Sequence, residues 1–321
     1  MINISILTLK NAVPASIADA SYMFATVNEL LEQTGKEPLF NVQLVGLQHE
    51  VNLNHGSFFI KPHVLIEEAT QADLIIIPSM KGDAVGATYI NRDYAPWITN
   101  QYKNGAEVAS LCTGAFLLAY TGLLRNRQCT THWAYANEFR YYYPDVELVD
   151  EKVITYQQGL YSSGGNNAYW NLLLFLVEKY TNRSIAIYTA KFFVIDLDRK
   201  HQSPFIIFTG QKHHEDETII KTQEYIEQHY ADKLTVDQIA GFFNLSRRSF
   251  ERRFKNATRS TVVEYIQRVK IEAAKKQLEI GRKSIEEVMF DVGYADVKTF
   301  RDVFKKITDM TPNEYRNKYN R

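Results

Sequence analysis

Two places in the 321-residue sequence hold residue types that can do chemistry. The first is Val108-Ala109-Ser110-Leu111-Cys112-Thr113-Gly114-Ala115, where a β-rich run ends at a cysteine, small residues follow and a helical pattern begins. This is the layout of a nucleophile elbow: a strained strand-to-helix turn projects the side chain, and the helix N-terminus draws the thiol towards the thiolate. His132, in Thr130-Thr131-His132-Trp133, can pair with it as a base. The same residues also describe a buried, inert cysteine, the default for this residue type, and His132 is one of eight histidines. The second place is basic. Arg247, Arg248, Arg252 and Arg253 crowd a short stretch around Phe250 and Phe254, and Lys298, Arg301, Lys305 and Lys306 surround Phe300 and Phe304 in the same way. Phenylalanines four apart share one helix face, so the cations are left outward, where they can meet phosphates and base edges.

Those side chains need elements to hold them. From residue 218 onwards strand signals stop and the apolar spacing becomes three to four. Val236, Ile239, Ala240 and Phe243 mark one helix, Asn244-Leu245-Ser246 a short turn whose serine can cap the next, and the helix of Phe250 and Phe254 follows. Two helices joined by a tight turn, the second basic on its outer face, describe a helix-turn-helix over about 234–256. The pattern recurs: Ile285, Val288, Met289 and Val292, then Gly293-Tyr294-Ala295-Asp296, then a helix over 297–307, giving a second motif over about 285–307. Residues 261–279 between them read as one helix, about 28 Å long at 1.5 Å per residue. A DNA turn is about 34 Å, so recognition helices at this spacing can enter successive major grooves on one side of a duplex. Either pair alone would read as an ordinary αα-hairpin; two copies with matching Phe-x-x-x-Phe anchors and basic outer faces point to double-stranded DNA as a partner.

Charge separates this segment from the rest. The chain is neutral, with 37 Lys+Arg and 37 Asp+Glu, but from Lys233 onwards 20 basic residues face 12 acidic ones, a net of +8 that leaves −8 for residues 1–232. A basic segment beside an acidic remainder suits a nucleic-acid module attached to a body that does not bind polyanions. That body alternates short β-rich runs with helical patterns, at 4–9, 15–34, 42–47, 74–78, 108–111 and 115–124. We therefore expect an α/β domain over 1–195, a parallel sheet covered by helices in a flavodoxin-like sandwich, with the fully apolar Leu74-Ile75-Ile76-Ile77 as a buried central strand. A helical stretch over 171–194 closes it, polar residues 196–217 read as a linker, and 218–321 form an all-α C-terminal domain. His213-His214 before Glu215-Asp216-Glu217 belongs to that polar linker rather than to a metal site.

The function classes narrow accordingly. No apolar run reaches about 18 residues and residues 1–7 alternate like a first strand, which predicts a chain that neither spans a membrane nor is exported. Two cysteines, Cys112 and Cys129, are too few for a disulfide scaffold or a four-cysteine zinc site. With no Gly-rich phosphate loop and no clustered metal ligands, we expect no cofactor and no metal, and a cytoplasmic location.

Residues from about 218 to 319 resemble the AraC family. Gly293-Tyr294, Phe300-x3-Phe304-Lys305-Lys306, Thr311-Pro312 and Tyr315-Arg316 are similar to its signature, and Ile239-Ala240, Leu245-Ser246, Arg248 and Tyr265 through Glu272-Ala273-Ala274 to its first half. The resemblance implies seven helices and carries base-reading roles to Arg248, Glu251 and Arg252 on the first recognition helix and to Val297, Lys298, Arg301 and Asp302 on the second, with Arg247, Lys305 and Lys306 beside them. Arg reads guanine bidentately, whereas Glu251 and Asp302 can accept from cytosine N4 but repel phosphate, so the second helix reads less sequence or reads it through shape. Arg259 and Asp309 stand where a turn glycine is usual, Val262 replaces a proline and Met289 a small alanine.

Residues 1 to about 195 resemble the class I glutamine amidotransferase-like, or PfpI-like, superfamily, in the GlxA-type form fused to AraC domains. The resemblance rests on Ala109-Ser110-Leu111-Cys112-Thr113-Gly114-Ala115-Phe116, Gly122-Leu123-Leu124, Thr130-Thr131-His132-Trp133 and Ser162-Ser163-Gly164-Gly165. In enzymes of that superfamily the cysteine is a nucleophile, the histidine its base, and an acidic residue after the first strand supports them, a role for which Asp19 is the nearest candidate. Two departures weigh against catalysis: Ser79 and Met80 replace the oxyanion-stabilising glycines, leaving the Ser79 N–H beside a bulky methionine, and Ser21-Tyr22-Met23-Phe24 replaces Gly-Pro-x-Glu. Asp19, Ser79, Cys112, Thr113 and His132 are expected to form an effector pocket or a vestigial catalytic site. The expected function is a sequence-specific transcription regulator whose N-terminal domain binds a small-molecule effector and forms a homodimer; the alternative is a cysteine hydrolase or amidotransferase-like enzyme fused to a DNA-binding domain.

Overall fold

The computed structural model describes residues 1–197 and 199–320; Asp198, within the expected 196–217 linker, and Arg321 lie outside the described residues. The chain divides into two compact units, Met1–Gln202 and Ser203–Arg321.

The strands of the first unit are β1 (Ile2–Leu7), β2 (Phe40–Gly46), β3 (Val51–Leu53), β4 (Phe58–Ile60), β5 (Val64–Leu65), β6 (Leu74–Ile77), β7 (Glu107–Ser110), β8 (Gln128–Cys129), β9 (Glu147–Leu148), β10 (Ile154–Gln157) and β11 (Leu160–Ser163). Its helices are α1 (Pro14–Gln33), α2 (Ala84–Ile90), α3 (Tyr94–Lys103), α4 (Ala115–Tyr120), α5 (Ala136–Tyr142), α6 (Ala168–Tyr180) and α7 (Arg183–Phe192). One seven-stranded sheet runs β10-β11-β7-β6-β1-β2-β5. It is parallel except at one edge, where β10 pairs antiparallel with β11. The Leu-Ile-Ile-Ile run is β6, every residue of it buried, which is why it shows no in/out alternation. Pro14 opens α1, where its missing N–H costs nothing, and Ile17, Ala20, Phe24, Val27 and Leu31 recur at helical spacing on the buried face. The expected helical stretch 171–194 is two helices. Thr181 leaves the helical backbone, and the Asn182 side chain caps α7 by accepting from the Ile185 N–H at 3.1 Å.

The second unit is helical: α8 (Glu217–Gln228), α9 (Val236–Phe242), α10 (Arg247–Thr258), α11 (Val262–Ile280), α12 (Ile285–Asp291), α13 (Val297–Thr308) and α14 (Pro312–Tyr319). Capping boxes at Thr235/Gln238, Thr261/Glu264, Ser284/Glu287 and Thr311/Glu314 start four of them by satisfying backbone donors at each N-terminus. Two hydrophobic cores form, one around Phe250 and Phe254 and one around Phe300 and Phe304. The long helix α11 serves both, with Val262, Tyr265, Ile266 and Val269 in the first and Ile271, Ala274 and Leu278 in the second. The boundary between the units falls inside segment 196–217, and both sides of that boundary are packed. His201 bridges to Lys152 in the first unit, and Phe208 packs against the first helical core of the second.

Candidate effector site and nucleic-acid interface

From β7 the chain turns at Cys112 into a 3-10 turn, Cys112–Gly114, and then α4. Cys112 has φ +54°, a left-handed conformation that costs a non-glycine residue roughly 1–2 kcal/mol. Its neighbours impose the turn. The Cys112 N–H donates to Ser163 Oγ at 3.2 Å, and its carbonyl accepts from Thr131 Oγ1 at 2.9 Å. Gly114 runs so close to the main chain of Ile77 and Pro78 that a Cβ would meet their carbonyl oxygens at 2.6 and 2.7 Å. The strained turn of a nucleophile elbow is therefore present.

The chemistry of an activated thiol is not. Cys112 is 1% exposed, and burial pushes its pKa up against smaller lowering contributions from Ser79 and Thr113. This direction is opposite to the lowering expected from the helix N-terminus, because desolvation of a thiolate outweighs the hydrogen bonds that Ser79 and Thr113 offer it. The thiol donates to Asn166 Oδ1 at 3.8 Å. His132 is occupied elsewhere, its Nδ1 accepting from the Ala134 N–H at 3.1 Å, and burial holds its pKa below the ordinary range. Among the described residues no hydrogen bond joins it to Cys112. Ser79, read as an oxyanion donor, gives its N–H to Ser16 Oγ at 3.1 Å, and the Met80 N–H goes to Thr113 Oγ1 at 2.7 Å. The Thr113 hydroxyl returns a bond to the Met80 carbonyl at 2.6 Å, so an oxyanion on this loop would have to break existing bonds. Asp19, expected to support a Cys–His pair, instead accepts from the Tyr169 hydroxyl at 2.6 Å.

Three polar residues that the sequence reading missed complete the site. Asn166 accepts a hydrogen bond from the thiol, and Tyr169 and Tyr135 stand near it, their hydroxyl pKa values raised first of all by burial. Asn166 and Tyr169 follow directly on Ser162-Ser163-Gly164-Gly165, so that motif was the available signal.

In the second unit α9 and α10 form one helix-turn-helix and α12 and α13 another. Asn244 at φ +55° and Gly293 at φ +75° make the turns, and Ser246 and Asp296 cap the second helices. Arg259 and Asp309 end those helices at φ +58° and +61°. On α10 the arginines have different fates. Arg253 forks onto the Asp216 carboxylate with N···O distances of 2.9 and 2.6 Å. Arg247 pairs with Asp237 at 2.9 Å and with Glu251 at 3.3 Å. Arg248 and Arg252 are exposed and, among the described residues, have no hydrogen bond or ion pair. On α13 Lys298, Arg301, Asp302, Lys305 and Lys306 are all exposed, whereas Val297 is half-buried against the second core.

The two motifs are locked together. A Cβ on Gly293 would lie 2.2 Å from the Ala231 carbonyl oxygen, so the second turn packs directly on the segment before α9. Beside it, Lys270 of α11 points its buried ammonium at the carbonyls of Val292 (3.0 Å), Gly293 (3.3 Å) and Asp232 (3.4 Å). These contacts make one reader of two.

Fold and sites together define a double helix-turn-helix regulator carrying an α/β domain with an elbow cysteine. Comparison with known proteins agrees: residues 239–318 match the helix-turn-helix domain family and residues 23–179 the DJ-1/PfpI family. The HTH-type transcriptional regulator GbdR of Pseudomonas aeruginosa is 22% identical over 317 residues, covering 98% of this chain and 84% of its own. Among solved structures, a candidate transcriptional regulator from Vibrio parahaemolyticus superposes with a TM-score of 0.53 at 21% identity, covering 60% of this chain and 98% of that one. A ThiJ/PfpI family protein from Pseudomonas syringae gives 0.51 at 14% identity, covering 61% and 76%. The chain thus carries a helix-turn-helix domain towards its C-terminal side and a DJ-1/PfpI domain towards its N-terminal side, and over nearly its whole length it is similar to an HTH-type transcriptional regulator.

Proposed function

We propose that this regulator reads its operator mainly through Arg248 and Arg252, and that its N-terminal unit binds a small effector at the Cys112 site and pairs two copies of the chain. The observation that carries the DNA reading is the contrast along α10. Arg247 and Arg253 are consumed by carboxylates, while Arg248 and Arg252 project from the face away from Phe250 and Phe254 with donors uncommitted. Such donors are available to guanine O6 and N7 or to phosphate. Lys298, Arg301, Lys305 and Lys306 supply the second contact surface, and Glu251 and Asp302 restrict which bases are accepted. Duplexes selected from random-sequence DNA by the full chain provide the probe: Arg248→Ala should weaken binding by about 5- to 150-fold. Unchanged affinity would overturn the assignment of the first recognition helix.

The effector reading is supported by the neutrality of the Cys112 site. A protonated thiol, a neutral imidazole, the Asn166 amide and the Tyr135 and Tyr169 hydroxyls offer donors and acceptors without an activated nucleophile. That set favours reversible recognition of a small polar molecule over the covalent chemistry of the hydrolase alternative. A ligand that raises the melting temperature of the chain but not of Asn166→Ala would support it. The regulator works where DNA is kept, in a reducing cytoplasm in which Cys112 and Cys129 stay thiols. Sedimentation of the full chain tests the homodimer.

A further inference from the structure

We infer that Gln202 is a positioning residue that ties the Cys112 site to the DNA-reading unit, as the upstream anchor of a strap that leaves no free linker between them. The inference rests on the sensing role proposed for that site. Gln202 is polar yet 2% exposed. Its Nε2 donates to the carbonyls of Asp150 (2.7 Å) and Thr131 (3.0 Å), and its Oε1 accepts from the Gly165 N–H (2.9 Å). Both loops so gripped belong to the Cys112 site. Thr131 holds the Cys112 carbonyl and precedes His132; Gly165 lies between Ser163, which holds the Cys112 N–H, and Asn166, which accepts a hydrogen bond from the thiol. A Cβ on Gly164 would lie 2.6 Å from the Gln202 amide, so the glycine pair in Ser162-Ser163-Gly164-Gly165 is there to admit this side chain.

With the next residue the chain enters the second unit, and it is gripped again at once. The Pro204 carbonyl accepts from the Tyr319 hydroxyl at 3.1 Å and the Ile206 carbonyl from Lys275 Nζ at 2.5 Å. The Phe208 N–H donates to Glu272 Oε2 at 3.1 Å, and its ring packs edge-on against Tyr265. Glu272 and Lys275 pair with each other at 2.7 Å, and both stand on α11, the helix shared by the two helix-turn-helix cores. From Gln202 to Pro204 the chain can span only about 7 Å, so a shift of the Thr131 or Gly165 loop is passed along the main chain to α11 instead of being absorbed by a flexible tether.

Two measurements on the full chain test this. Residue-resolved amide hydrogen exchange on Gln202→Ala should show about tenfold faster exchange at Gly165 and also at Phe208, with the core amides of α6 and α10 still protected. Faster exchange at Gly165 with Phe208 unchanged would reduce Gln202 to local packing and overturn the proposal. If that variant does not fold, insertion of four Gly/Ser residues between Gln202 and Ser203 decides it, with an in-vitro-selected duplex as probe. Asn166→Ala should alter DNA affinity in the uninterrupted chain and lose that effect in the inserted chain, whose own affinity stays within about twofold. An equal effect of Asn166→Ala in both chains overturns the strap. No effect in the uninterrupted chain sinks the sensing reading instead, and amide exchange on Gln202→Asn, which keeps the amide but shortens its reach, then decides the role of Gln202: faster exchange at both Gly165 and Phe208 supports the strap, and an unchanged Phe208 overturns it.

Discussion

Arg252 and Arg253 are neighbours on one helix, and they should fail in opposite ways when truncated. Arg253 forks onto Asp216 through two charge-assisted hydrogen bonds, with side chains 33% and 25% exposed. Exposed pairs are worth about 0.2–1 kcal/mol and hydrogen bonds to charged groups about 1.5–3, so at this partial exposure Arg253→Ala should cost roughly 1–1.5 kcal/mol. For a unit of about 120 residues that is a fall of roughly 4–6 °C in the melting temperature of the helical unit, followed by circular dichroism. The loss has a pH signature. The hydrogen bond from Arg253 is the main reason the Asp216 pKa is lowered in the folded state. A depressed carboxylate pKa stabilises the fold fully above the unfolded value of about 3.9 and ceases to do so as pH falls through the folded one. The variant and parent melting curves should therefore converge in acid. Arg252→Ala, by contrast, should leave melting unchanged and weaken operator binding by about 5- to 150-fold. If Arg253→Ala weakened binding like Arg252→Ala while leaving the melting temperature alone, the division of roles read from α10 would be wrong.

Three further outcomes follow from the same contacts. Arg259→Gly should stabilise the helical unit by about 1 kcal/mol in urea unfolding by relieving φ +58°, and Asp309→Gly by less, since aspartate tolerates that region better. Gly293→Ala should cost about 2 kcal/mol or more in the same assay, because φ +75° and the Ala231 carbonyl at 2.2 Å both oppose a Cβ. Iodoacetamide should alkylate Cys112 more slowly than glutathione at pH 8, with an inflection above the ordinary thiol value of about 8.5, because burial raises its pKa; Cys129, pushed up to about 12, should not react below that range.

What was legible in the sequence was whatever burial imprints as periodicity. The Leu-Ile-Ile-Ile run of β6, the Phe-x-x-x-Phe anchors of α10 and α13 and the capping serines and threonines each announce a local environment, so the α/β and double helix-turn-helix plans could be read directly. The antiparallel edge strand β10 could not, because its partner β11 is a buried strand rich in serine, whose hydroxyls are satisfied only in the fold, as Ser162 is by its cross-strand partner Thr155 and by the distant Thr130 N–H. Nor could the state of Cys112. Its motif fixes the turn, but its pKa depends on desolvation and on Asn166, Ser79 and Thr113 arriving from separate segments. The pairing of Arg253 with Asp216, 37 residues away, is of the same kind: composition counts four arginines on α10, and only the fold says which are spent.

The two recognition helices differ in a way that salt can expose. The uncommitted arginines of α10, Arg248 and Arg252, are guanidinium groups, which match guanine bidentately, with Lys255 further along the helix, while α13 carries Lys298, Lys305 and Lys306, point charges suited to phosphate, with Arg301 beside the acidic Asp302. If α10 specifies and α13 anchors, Lys305→Ala and Lys306→Ala should weaken binding to every duplex alike and each lower the slope of log affinity against log salt by about one. Arg248→Ala should instead cost most on the selected sequence and least on random DNA. Their rigid connection makes this division workable. Gly293 against Ala231 and the Lys270 ammonium among three carbonyls fix the anchor relative to the reader, so phosphate contacts made by α13 set the register in which α10 meets its bases. Equal sequence dependence for the lysine and arginine variants would refute the division, whatever the total loss in affinity.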